Sequence, residues 1–205
     1  PVSVFGASLV IATDAEAARV VLGAARAVQQ IDTRALITST VIPAAANFIR
    51  TAGYATVGDS GDGLYKRVGS QPSHVGRVQS ADGTWWELVV GTDISPAVLG
   101  GSVQDAVDVA FALGVRNVVL KGTYTLTAAV AMRPGVWLTC VPGSATLTVA
   151  NGSTLNILVD FTTNVATGAG MSGVTVNGNR ANRTDNLNLV SPRSKHSPRY
   201  RTSRP

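Results

Sequence analysis

The sequence predicts a mainly β protein: short N-terminal helices, a small β-rich module, and then a helix that caps a run of short strands. Three observations predict it. Beyond residue 116, short runs of Val, Leu and Thr alternate with turns such as Lys121-Gly122, Pro142-Gly143 and Asn151-Gly152. Just before them, Val103, Ala106, Val107, Ala110 and Phe111 recur at three- and four-residue spacing, the stripe of an amphipathic helix. Upstream, Asp82-Gly83 lies between two β-prone runs, which is a strong hairpin signal.

The elements follow in order. Thr13 and Glu16 form a capping box, in which each side chain satisfies the other's free backbone N–H. An Ala-rich run then leads to Val20, Val21 and Leu22, and Gly23 ends it. A second helical stretch runs through Ala24–Gln30. From Ile37 the texture turns β-branched, and Pro43 interrupts it. Asn47–Tyr54 and Tyr65–Val68 flank a Gly/Asp turn at 58–63, while Val75–Gln79 and Trp85–Val90 flank the Asp-Gly hairpin. In the second helix Ser102 is the cap, Asp105 favours the positive N-terminal end, and Gly114 is the stop. Expected strands are Asn117–Leu120, Tyr124–Leu126, Val130–Met132, Val136–Val141, Ala145–Val149, Leu155–Phe161 and Val174–Val176. The chain therefore divides into a helical segment over 1–36, a β-rich module over 37–92, a linker over 93–101, strands with their capping helix over 102–188, and a basic tail over 189–205.

Composition excludes several classes. Hydrophobic residues make up 45% of 205 and charged residues 14%, too apolar for disorder. No stretch approaches the roughly 18 consecutive apolar residues of a membrane helix, and no basic n-region precedes an apolar run as in a signal peptide. The start at Pro1 fits a processed terminus or a cut from a longer chain. Cys140 is the single cysteine, so the sequence offers no intrachain disulfide and no multi-cysteine metal site. The formal charge of +5 resides in Arg193, Lys195, Arg199, Arg201 and Arg204, leaving twelve basic residues against twelve acidic ones over 1–190. A basic tail, rich in Ser and Pro, is not the patterned footprint of a nucleic-acid binder. Nucleic acid and membrane are not expected partners.

Helix and strand do not alternate here as a doubly wound sheet demands. A sandwich and a parallel β-helix both remain compatible with short strands between turns. In the second, each coil holds two or three strands and a helix covers the otherwise open first edge.

Two sets of residues resemble known families. Ser102–Ala110, followed by Asn117-Val118-Val119-Leu120-Lys121-Gly122-Thr123-Tyr124, resembles the opening of the pectate-lyase-like β-helix superfamily, where a capping helix precedes a strand and a Gly-Thr-Tyr turn. Pro134-Gly135-Val136-Trp137-Leu138 and Gly173-Val174-Thr175-Val176-Asn177-Gly178-Asn179 look like its next coils. The helix at Asp14–Gly23, then Ile49–Tyr54, Gly58–Tyr65 and Gly83–Leu88, is similar to the region preceding the β-helix in phage tail fibre and tailspike proteins. The resemblance implies a right-handed parallel β-helix, a homotrimer, an N-terminal part bound to the phage tail or baseplate, and often cleavage of host surface polysaccharide. Full β-helix domains are longer than the three or four coils here. The chain is therefore expected either to be a fragment or to have a partner over its last coil.

The short helix must bury Val20, Val21 and Leu22 against a neighbour, because isolated helices of this length are marginal. With Trp85 and Trp86, which alternate across a strand, they are the expected trimer and anchor contacts. No catalytic residue, cofactor or metal site is assigned. Asp105, Asp108, Asp160 and Asp185 do not mark a carboxylate pair of the kind glycosidases need. Asp59 and Asp62 fit a turn better than a calcium loop, and His74 and His196 have no nucleophile motif beside them. The expected role is structural, with a polysaccharide lyase or hydrolase, and a carbohydrate-binding module without turnover, as the alternatives.

Overall fold

The computed structural model describes residues 28–155, 157–182 and 188–190. The helix expected over Asp14–Leu22, with Val20, Val21 and Leu22, lies outside the described residues. So do Asp185 and the 191–205 part of the basic tail.

A five-stranded sheet comes first, in the order β1-β2-β3-β5-β4. Its strands are β1 (Val28–Ile31), β2 (Phe48–Thr51), β3 (Leu64–Val68), β4 (Arg77–Gln79) and β5 (Trp85–Val89). β1 and β2 are parallel, and the other neighbours are antiparallel. Here the helical expectation for Ala24–Gln30 is corrected over Val28–Gln30, its earlier residues lying outside the described ones. Val28–Gln30 belong to β1 and pair with Phe48–Arg50, because a sheet partner outweighs weak helix propensity. The β-branched run from Ile37 also departs from its texture. A one-turn helix, α1 (Arg34–Ile37), ends there, and turns follow it. The hydroxyls of Thr38, Ser39 and Thr40 donate to the carbonyls of Ala35 and Leu36, an alternative to strand pairing. Ile37 and Ile42 are buried beneath the sheet's inner side chains. The Asp-Gly hairpin forms as expected, with Gly83 at φ +81° and its N–H donating to Ser80 O.

Three small parallel sheets follow. One is ordered β13-β10-β7-β6, the second β14-β11-β8 and the third β15-β12-β9. Their strands are β6 (Asp93–Ile94), β7 (Asn117–Val119), β8 (Gly122–Leu126), β9 (Val130–Ala131), β10 (Trp137–Thr139), β11 (Ala145–Val149), β12 (Ile157–Asp160), β13 (Gly170–Ser172), β14 (Thr175–Asn177) and β15 (Asn188–Val190). From β7 onward the chain visits the three sheets in rotation, so each circuit lays one strand on each face. β6 falls within 93–101, which Pro96 and two glycines marked as a linker, and it pairs with β7 as Ile94↔Val118.

Register aligns the inward residues. Val118 and Leu138 are neighbours, as are Tyr124 and Leu147, and Val118, Leu138, Leu147, Leu158 and Val159 are fully buried. Each such aliphatic side chain contributes about 1.5–3 kcal/mol of burial. The longer helix, α2 (Val103–Ala112), packs on the stack's first strands and buries Val103, Ala106, Val107, Val109 and Ala110, with Val109 against Gly76 of the preceding module. Ser102 Oγ accepts from Asp105 N at 3.2 Å as its cap. Gly114, at φ +71°, ends the helix.

Candidate functional site

Strand alternation sends the two adjacent tryptophans to opposite faces of the five-stranded sheet. Trp86 points inward and is fully buried, its Nε1 donating to Ser80 Oγ at 2.9 Å. Arg67 lies over its ring at 4.6 Å. The guanidinium is held there by Ala46 O and Pro43 O, both at 2.8 Å, and by Thr84 Oγ1 at 3.2 Å. Trp86, expected beside Trp85 as a trimer or anchor contact, is thus enclosed by its own chain. Its surface is spent inside its own chain, and only Trp85 of the pair faces outward.

Trp85 is half-buried between Val68 and Gln79, its register neighbours on β3 and β4. Arg77 approaches its ring at 5.9 Å and donates to Pro72 O at 2.6 Å and His74 O at 3.1 Å. Two shallow grooves of about 510 and 540 Å³ meet at Trp85 and Gly83. Asn47, Arg67 and Thr84 line one, and Arg34, Arg77 and Gln79 line the other. Arg34, on α1, reaches Arg77 O at 2.6 Å and lies 5.3 Å from the Tyr54 ring. Below it, burial pushes the Tyr65 hydroxyl up to about 12, opposed by the Arg34 charge.

The three arginines were not singled out in the sequence. Arg67 carried a signal nonetheless: it shares parity with inward Tyr65 on β3, so it had to enter the core with carbonyl partners.

The acidic residues take other roles. Glu87 is clamped between Lys66 Nζ at 2.7 Å and His74 Nε2 at 3.0 Å, and the Lys66 contact in particular holds its carboxyl below the usual range. Asp59 organises its loop by accepting from the backbone N–H groups of Tyr54, Ala55, Thr56 and Gly61. Those bonds, led by that from Thr56, hold its carboxyl far below the usual range. Asp62 takes no part in that cradle. In the stack, Asp108 pairs with Arg133 Nε at 2.6 Å and accepts from Gln104 at 3.1 Å. Asp105 serves the helix N-terminus. Asp160 accepts from Thr162 N and Oγ1, each at 2.7 Å, and from Thr163 Oγ1. Among the described residues, no three His, Cys, Asp or Glu side chains gather as a metal site would require.

The sheet and the stack together give the chain a tailspike-like fold. One similar solved structure is the full-length tailspike protein 2 of Escherichia coli O157:H7 bacteriophage CAB120, with a TM-score of 0.50, 12% identity and 76% of this chain covered. Another is the tailspike of Acinetobacter phage vB_ApiP_P1, with a TM-score of 0.52, 12% identity and 73% covered. The chain spans only 21% and 29% of those two proteins. No protein-family model matches it, and no curated protein does.

Proposed function

We propose that the chain is the virion-anchoring region of a phage tailspike or tail fibre. In this reading it is a homotrimer in the phage tail, attached to tail or baseplate proteins. Its five-stranded sheet leads into the first coils of a right-handed parallel β-helix that presents receptor-facing material to the host surface. The observation that carries the reading is the order of parts. A small mixed sheet, a capping helix and three parallel sheets visited in rotation follow one another, in a fold shared with two tailspikes over about three quarters of the chain. The structural reading is favoured over a depolymerase because the stack's carboxylates at Asp105, Asp108 and Asp160 are engaged in cap, ion-pair and turn contacts. Reconstruction of the intact virion tests the proposal: density for the sheet is expected at the tail in three copies. Light scattering of the purified chain should give three times its mass. A monomer in solution together with no density at the tail defeats it.

A further inference from the structure

The grooves beside Trp85 are lined by three arginines and by no acidic side chain. Among the described residues the ion pairs are Lys66–Glu87, His74–Glu87 and Arg133–Asp108, so Arg34, Arg67 and Arg77 pair with no carboxylate. Their partners are mainly carbonyl oxygens of Arg77, Ala46, Pro43 and Pro72, which fix the planar groups without cancelling their charge. The nearest acids are held by other partners, Glu87 on the Trp85 face itself, opposite Arg77. Asp82 accepts from Thr84 Oγ1 at 2.5 Å and from Ile42 N, and Glu87 is held by Lys66 and His74.

We infer that the Trp85 face docks an acidic segment of a partner protein. The inference rests on the reading of the chain as an anchoring region, and it names the chemistry of the partner. Charge complementarity selects the occupant: fixed, uncompensated guanidinium groups bind carboxylates with charge-assisted geometry. Shape points the same way, because both grooves are open and shallow, whereas small-molecule sites enclose most of their ligand. Trp and Arg are the residues enriched where protein interfaces concentrate their energy. Trp85 supplies the apolar centre, and Arg34, Arg77, Asn47 and Gln79 supply the polar rim, with Arg67 set deeper over Trp86.

The test is fluorescence anisotropy on the full chain with a labelled peptide of alternating glutamate and serine. Its lysine counterpart and an oligogalacturonate serve as the other arms. Exposed Gln79 tunes the charge without touching the core. Gln79→Glu should weaken glutamate-peptide binding by about tenfold, and Gln79→Lys should tighten it. Trp85→Ala should abolish it, and added salt should weaken it. Binding of oligogalacturonate without the peptide overturns the inference in favour of an acidic glycan. No binding, or binding indifferent to all three substitutions, also overturns it. Virion density at the tail with either result leaves the anchoring reading standing and removes only this site.

Discussion

Gln104 on α2 grips both backbone groups of Ala131: its Nε2 donates to Ala131 O at 3.2 Å, and its Oε1 accepts from Ala131 N at 2.8 Å. β9 pairs with β12 on one side, and on the other the glutamine amide stands in for a strand. A free edge would otherwise offer those groups to another chain. Gln104→Leu keeps helix propensity and strips both partners. We expect a loss of about 1–3 kcal/mol, the cost of leaving part-buried polar groups unmade. Urea denaturation measures it, and amide exchange at Ala131 should accelerate. Unchanged protection there would show that the helix caps the stack by apolar contact alone.

Asp59 sets the acid response of the loop at 53–61. Its carboxyl lies below its ordinary value of 3.8, so the ionised form belongs to the folded loop. A depressed value contributes order that is present above 3.8 and is lost as pH falls through the folded value. Asp82, lowered to about 2 chiefly by the Thr84 hydroxyl, and Glu87, lowered from 4.5, act in the same direction. The contribution of these three acids should therefore be level from neutral pH to 4.5 and decline only below. Asp59→Asn keeps one acceptor oxygen, so the amides that bond Oδ2, Ala55 and Thr56, should exchange faster. Loop opening well above pH 4.5 in the wild type would contradict this assignment.

The two tryptophans should separate cleanly by stability. Trp86→Ala removes a fully buried ring together with its bond to Ser80 and the surface under Arg67. A loss of about 3–5 kcal/mol is expected, as for other buried aromatics. Trp85→Ala should cost about 1 kcal/mol or less, in the range of surface sites. Guanidinium denaturation of both variants decides it, and equal losses would mean that Trp85 belongs to the core as well.

Legibility followed interaction range. α2 was readable because its stripe, Ser102 cap and Gly114 stop are local, and Ala145–Val149 was readable because its alternation spans the whole strand. β6 and β13 were missed because Asp93-Ile94 and Gly170-Met171-Ser172 lack the apolar run that marked equally short strands such as Val130–Ala131, and each forms only beside a strand already in place. β1 was misjudged for the same reason: its partner lies twenty residues on, across α1. At the candidate site, the opposite facing of Trp85 and Trp86 followed from strand geometry. Which of them entered the core depended on Ser80 and on Arg67 in its carbonyl cage, contacts that only the assembled sheet creates.

Gly170 and Trp137 provide the most stringent packing test. They are register partners on β13 and β10. A Cβ on Gly170 would come within 2.8 Å of the indole atoms Cη2 and Cζ3. The ring cannot swing away freely, because its Nε1 donates to Gly168 O at 2.7 Å. Space, then, is what requires glycine at this position. Gly170→Ala should destabilise the chain by about 1–3 kcal/mol, as overpacking does. In a Trp137→Leu background the obstructing ring is gone, and the same alanine should be tolerated. The cycle should show a favourable interaction of about 0.5–3 kcal/mol between the two changes. Urea midpoints of the four proteins give that value directly. Strict additivity would mean that the indole is not what excludes a side chain at 170, and that the close approach of these strands has another cause.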